Sequence, residues 1–190
     1  MELKKLTYMS IFVAIMGVLG LLPPIPLAFS PVPLTLQTLG VMLSGSILGY
    51  HLGGKYAFMS LIVFLLLVLS GLPLLAGGRG GVGVFVVPSS GYLIGYAFGS
   101  YVVGWFAERI KSPSFFRFFI ANTLGGVAVV YLFGIPVQAF MMEISLIEAS
   151  ILSLVYLPGD LVKVIIASMI GLKMTGIPLM AKEKTGVTKI

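Results

Sequence analysis

The chain has 190 residues, 58% of them hydrophobic and only 9% charged, with a mean hydropathy of +1.12; a soluble domain carries about 25% charged residues. This composition indicates an integral membrane protein of the all-α class. The absence of cysteine and the presence of one histidine, His51, exclude disulfides, thiolate catalysis and Cys- or His-cluster metal sites. The formal charge of +6 is read through its distribution along the chain, as a topology signal and not as a nucleic-acid footprint.

The opening MELKKLTYMSIFVAIMGVLGLLPP has the basic start and apolar core of a signal peptide. Its apolar stretch runs from Leu6 to Leu22, longer than an h-region of about 7–15 residues, and no small-residue cleavage site follows it. It is expected to stay as a first span. A span needs about 20 mostly apolar residues, and breakers divide the chain into six: 5–22, 35–52, 55–72, 91–108, 115–134 and 157–175. Pro23, Pro24 and Pro26 end the first, His51 to Lys55 separates the second from the third, and Glu108 to Pro113 separates the fourth from the fifth. The expectation is one membrane domain over 1–190, a compact bundle of six transmembrane helices.

An even number of spans puts both termini on one side. Lys4, Lys5, Lys55, Arg109, Lys111, Arg117, Lys173, Lys182, Lys184 and Lys189 then share that side, and only Arg79 and Lys163 lie toward the other. The positive-inside rule makes the shared side cytoplasmic, in a cell (plasma) membrane. The outer connections, 23–34, 73–90 and 135–156, are long and apolar. Long apolar loops in water are a liability, so they are expected to fold back over the helices and line a cavity open to the outside.

Small residues four apart let membrane helices approach closely, because packing replaces the hydrophobic drive that lipid lacks. Gly91, Gly95 and Gly99 form such a row, and Gly45 with Gly49, Ala121 with Gly125, and Ala167 with Gly171 repeat it as internal contacts. Ser10, Ala14 and Gly17 form a similar stripe on the first span, which could dock another membrane subunit.

The segment GGRGGVG contains a literal GxGxxG in Gly78, Gly80 and Gly83. A dinucleotide fingerprint needs a preceding strand and a following helix, whereas a membrane span precedes this loop and Val86-Val87-Pro88 soon follows, so the nucleotide reading is set aside. Glycines let backbone N–H groups approach a small ligand, with Arg79 among them as a planar five-donor fork. The alternative is a turn whose arginine meets lipid headgroups. Asp160 and Lys163 are sharper candidates. Pro158 suits a first helical turn and Asp160 the helix dipole. Lys163 lies about 60° around the helix and one turn deeper, where an unpaired ammonium costs about 2.5–3.5 kcal/mol on insertion scales. Such a pair faces a bundle interior or a wet cavity.

A carboxylate, an ammonium and a guanidinium in an aromatic and apolar cavity describe a receptor for a small amphipathic acid. Gln37, Tyr92, Asn122 and Tyr156 could add hydrogen bonds, or serve as helix–helix contacts. A membrane enzyme using Asp160 as base is the rival reading, but it lacks a second acid–base partner, nucleophile or metal cage. No P-loop motif is present, so ATP-driven transport would need separate ATPase subunits.

Three separated motifs carry a resemblance: PVPLTLQTLGVMLSG around Gln37, GGRGGVGV leading into VPSSGYLIGY, and LPGDLVKV around Asp160. In order and spacing they resemble the biotin-specific substrate-binding subunits of energy-coupling-factor transporters, the BioY family, over nearly the whole chain. The chain reads Val87-Pro88-Ser89-Ser90-Gly91 where that family carries Gly-Pro-Thr-Gly-Gly. The resemblance implies a six-helix bundle with a biotin pocket near the outer surface, no enzymatic activity and no cofactor. It implies site residues Asp160, Lys163, Arg79, Tyr92, Gln37, Ser89, Gly78 and Tyr156. As partners it implies a transmembrane coupling subunit, docked through Ser10, Ala14 and Gly17, and two ATPase subunits. A substrate-binding subunit for a different vitamin is the nearest alternative.

Overall fold

The computed structural model describes residues 2–27 and 30–177. Its elements in chain order are α1 (Glu2–Leu21), a hairpin of β1 (Ile25–Leu27) and β2 (Ser30–Leu34), α2 (Gln37–Leu52), α3 (Gly54–Leu69), α4 (Ser90–Glu108), α5 (Phe115–Asn122), α6 (Val130–Met142), α7 (Leu146–Ser153) and α8 (Leu157–Met174). A π-helical turn, Thr123–Val129, joins α5 to α6 without a break, and a 3-10 turn, Leu154–Tyr156, joins α7 to α8. The elements therefore form six rods: α1, α2, α3, α4, Phe115–Met142 and Leu146–Met174. Each expected span overlaps one of them, running at most three residues beyond its ends.

Two connections expected on the outer side differ from the sequence expectation. Residues 135–156, expected as a loop, are mostly helical: α6 runs through Pro136 to Met142, Glu143 turns the chain in the left-handed region, and α7 follows at once. A capping box of Ser145 and Glu148 starts α7, which gives that carboxylate a structural role. Residues 25–34 pair as an antiparallel hairpin, with Ile25 opposite Leu34 and Leu27 opposite Ser30. Of the helices, Leu3–Leu21, Phe115–Met142 and Leu146–Met174 are long and apolar enough to cross a membrane unaided, and Gly54–Leu69 is a shorter apolar helix.

The rods α2 and α4 fall outside that group because they are the bundle's interior. Most of their residues are buried, and α4 packs on α2, α3, α6 and the π turn. Helices that face protein instead of lipid can carry glycine, serine and tyrosine, which lower their hydropathy. The glycines set how closely they cross. A Cβ placed on Gly49 would lie 2.2 Å from the Cα of Gly104, and one on Gly99 would lie 2.6 Å from the carbonyl oxygen of Gly125. The expected Gly91, Gly95, Gly99 row thus meets Phe133 and Val130 of α6 and Gly125 of the π turn.

Both ends of the chain's described part lie at one end of the bundle. Lys5 Nζ donates to Tyr56 Oη at 3.0 Å, His51 Nε2 lies 3.1 Å from the Met174 carbonyl, and Gly54 N donates to Glu108 Oε2 at 2.8 Å. The start of α1, the α2–α3 turn and the ends of α4 and α8 therefore meet there, and with them Lys4, Lys5, Lys55, Arg109 and Lys173. Lys182, Lys184 and Lys189 lie outside the described residues. At the opposite end sit the hairpin, the 70–89 loop and the α6–α7 corner.

Candidate functional site

The hairpin end of the bundle encloses a cavity between the start of α2, the 70–89 loop, α4, α6 and the first turns of α8. Its charged floor is built by α8. Pro158 occupies the first helical turn, where its missing N–H has no intrahelical role, and this fixes Asp160 at the helix start, with Lys163 one turn on. Both are buried, 3% and 7% exposed. Lys163 Nζ donates to Asp160 Oδ1 at 2.8 Å and to Thr38 Oγ1 at 2.9 Å. Thr38 Oγ1 donates in turn to Asp160 Oδ1 at 3.0 Å, and Tyr131 Oη donates to Oδ2 at 2.7 Å. One carboxylate thereby ties α8 to α2 and α6. Charges buried in a low-dielectric interior are tolerated when paired and hydrogen-bonded, and among the described residues no buried side-chain nitrogen or oxygen is left without a partner.

An aromatic wall rises from this floor. Tyr92 stands edge-on to Tyr131 and to Tyr156, with ring centroids 6.0 and 6.3 Å apart. Its hydroxyl donates to Gln138 Oε1 at 2.7 Å and lies 2.9 Å from Ser153 Oγ, while the Tyr156 hydroxyl bonds to Ser30 on the hairpin. Tyr96, Val32, Leu34, Leu75, Leu93 and Val130 contribute to the apolar lining.

The glycine-rich loop forms the rim. Leu75 and Arg79 pair backbone to backbone around Gly77 and Gly78, whose φ angles of 78° and 69° are open to glycine at little cost. Arg79 lines the cavity, half-buried, and its Nε donates to the Ala76 carbonyl at 3.1 Å. Its terminal guanidinium nitrogens make no hydrogen bond among the described residues.

The structure brings Gln37, Arg79, Ser89, Tyr92, Tyr156, Asp160 and Lys163 to this one cavity. Gly78 is not among its lining residues and shapes the turn behind Arg79 instead. Gln37 lines the cavity, but its amide is committed to backbone: Nε2 donates to the Leu74 carbonyl at 3.0 Å, and Oε1 accepts from Ala76 N at 3.4 Å. It pins the loop that carries Arg79. Asn122 lies away from the cavity, bonded to Ser46 and Ser168 as a helix–helix contact. On α1, Ser10 and Ala14 are exposed, whereas Gly17 is buried, with Leu74 Cδ2 3.3 Å from where its Cβ would be. The small-residue stripe is therefore split between an outer surface and an internal contact. Sequence reasoning missed Thr38, Tyr96 and Tyr131. The signals were slight: a threonine next to Gln37 at a helix start, and tyrosines inside apolar spans.

The family pattern of BioY matches residues 1–188. The "Probable biotin transporter BioY" of Bacillus subtilis (strain 168) is 49% identical, over 92% of this chain and 92% of its own length. The "Biotin transporter BioY" of Rhizobium etli is 40% identical, over 95% of this chain and 98% of its own. Among solved structures, the S-component for biotin from an ECF-type ABC transporter superposes with a TM-score of 0.86 at 38% identity, covering 92% of each chain. On this sequence match and this shared bundle, the chain belongs to the BioY family.

Proposed function

We propose that this chain captures biotin from outside the cell as the S component of an energy-coupling-factor transporter. The observation that carries the reading is the unused valence of the α8 cluster. A carboxylate offers about four acceptor sites and an ammonium three donors. Asp160 accepts three bonds and Lys163 donates two. One acceptor and one donor remain side by side on residues that line the cavity. A cyclic urea presents the matching pair, an N–H beside a carbonyl oxygen, so the ureido ring is assigned to Asp160 and Lys163. Arg79, on the loop at the rim with terminal guanidinium nitrogens unbonded among the described residues, is assigned to the valerate carboxylate. Val32, Leu75, Leu93 and the tyrosine wall would bury the sulfur ring and the chain. Ser89 would add a hydroxyl beside the carboxylate end, while Gln37 and Gly78 would hold the loop that carries Arg79.

Two cations against one carboxylate leave the cavity with a net positive charge, which suits a monoanionic ligand. The concentration of basic residues at the opposite end supports cytoplasmic termini in a plasma membrane, with the cavity open to the outside. The whole chain, 1–190, would act as one substrate-binding domain. Exposed Ser10 and Ala14 offer a close-approach surface for a transmembrane coupling subunit, and two ATPase subunits would supply the ATP hydrolysis for which this chain has no P-loop.

Equilibrium binding to the purified protein tests the reading. Biotin should bind saturably, and biotin methyl ester should bind wild type more weakly than the free acid. In Arg79→Gln the two should bind alike. No saturable biotin binding by correctly folded protein would overturn the function. A free-acid preference that survives in Arg79→Gln would overturn the assignment of the rim.

A further inference from the structure

The corner between α4 and α5, at the basic end of the bundle and remote from the ligand cavity, holds an open cleft of about 540 Å³. Arg109, Lys111 and Arg117 line it together with Phe106, Ile110 and Ile120. Two of its cations are held in place. The Arg109 guanidinium lies 4.0 Å from the Trp105 ring centroid, and its Nη1 donates to the Trp105 carbonyl at 2.8 Å and to Glu108. Arg117 Nη1 donates to the Ser112 carbonyl at 2.9 Å. Each fork is thus anchored through one nitrogen while the remaining donors stay available. Lys111 is exposed and makes no hydrogen bond or ion pair among the described residues. Among the described residues Glu108 is the single acid of the corner, and its other oxygen caps Gly54 at the start of α3.

We infer that this cleft binds the phosphate of an anionic phospholipid. Anchored guanidinium groups suit phosphate, which they engage with parallel N–H donors. The cleft opens on a lipid-facing surface: Phe116 is 66% exposed, Ile120 40% and Trp105 39%. Acyl chains would lie along these side chains, and Trp105 sits at the helix end, where amphipathic rings favour the headgroup level. Basic pockets between membrane helices hold acidic headgroups in this manner. Charge alone does not single out the corner, since Lys4, Lys55 and Lys173 share this end. Its distinction is that three cations converge on a walled space with an apolar side open to lipid.

Trp105 is the sole tryptophan of the chain, so its fluorescence reports on this corner without labelling. The full protein would be reconstituted in vesicles of phosphatidylcholine and phosphatidylglycerol, with one lipid at a time carrying brominated chains that quench tryptophan. Phosphatidylglycerol should be enriched at Trp105 at least about fivefold over its bulk fraction, from three cations acting together. Lys111→Gln with Arg117→Gln should reduce this below about twofold. Lys4→Gln with Lys173→Gln, which removes the same charge from the same end, should leave it in place. Excess inorganic phosphate separates the two sources of phosphate chemistry. Enrichment that persists supports a lipid site, whereas enrichment abolished at constant ionic strength assigns the cleft to a free anion and overturns the lipid proposal. Equal quenching by both lipids, or equal loss in both double variants, would also overturn it.

Discussion

Replacing Asp160 by Asn tests the floor of the ligand cavity, and its consequences separate into stability and binding. The carboxylate accepts from Tyr131 at 2.7 Å, Lys163 at 2.8 Å and Thr38 at 3.0 Å. An amide oxygen can keep part of this set, but the charge that holds the Lys163 ammonium is gone. Lys163 is 7% exposed and would retain Thr38 alone, at 2.9 Å. Breaking a buried pair by removing one partner costs about 3–5 kcal/mol, so the variant should unfold at a clearly lower temperature. On the binding side, a lost hydrogen bond to a charged acceptor is worth about 1.5–3 kcal/mol, which weakens biotin binding by about 10- to 150-fold. The two effects are separated by adding Lys163→Met, which removes the orphaned cation. The double variant should recover stability and should not recover affinity, because its cavity has lost both the acceptor and the donor assigned to the urea. Thermal unfolding followed by Trp105 fluorescence, alongside equilibrium biotin binding, reads both quantities. Affinity within threefold of wild type in folded Asp160→Asn, or affinity restored in the double variant, would refute the reasoning.

Other outcomes follow from the same geometry. Tyr131→Phe removes one donor from Asp160 Oδ2; biotin affinity should fall about five- to tenfold, near 1 kcal/mol, with insertion unchanged, and unaltered affinity would remove Tyr131 from the site. Ala14→Leu should keep biotin affinity within about threefold while losing co-purification with a coupling subunit and ATP-dependent uptake; normal assembly would show that α1 is not the docking surface. Gly17→Leu should instead reduce the yield of folded protein, because Leu74 already occupies that space. A cysteine at Ser112 should be protected from an impermeant thiol reagent in intact cells, and one at Ser89 should react more slowly with biotin present. Labelling of position 112 from outside would reverse the orientation.

The helical bundle was legible because its rods are long and their breakers strong. Pro23-Pro24 and the His51 to Lys55 turn each fall within a residue or two of an observed helix end. The 135–156 segment was not legible for a physical reason. Pro136 and the apolar run after it read as a lid, whereas Pro136 sits nearly two turns into α6, where the continuous rod from α5 carries it. The hairpin was hidden too, since Pro26, Pro31 and Pro33 argue against a strand. Proline is tolerated in a two-stranded ribbon because both strands are edges and need not donate at every position. The inward role of α2 and α4 was partly visible in their glycine spacing, which also explains why they are less apolar than the outer rods.

The site was legible where its chemistry is local in sequence. Asp160 and Lys163 are three residues apart, so one helical turn brings them together and the cost of an unpaired ammonium in lipid makes the pairing nearly obligatory. Thr38 joins them across 122 and 125 residues, and Tyr131 across 29. No spacing rule reaches that far. The remote partners change what the pair can do. An isolated Asp–Lys pair could neutralise itself and remain inert, or present its whole unsatisfied valence to any polar solute. Here Thr38 occupies the same carboxylate oxygen as the ammonium and also accepts from it, while Tyr131 takes the other oxygen. This leaves one acceptor site and one donor on adjacent groups. The charges make the cluster visible in the sequence, but under the proposed assignment its selectivity would be set by a threonine and a tyrosine that carry no charge. Losing either should broaden the range of ligands the cavity accepts as well as weaken the binding of one.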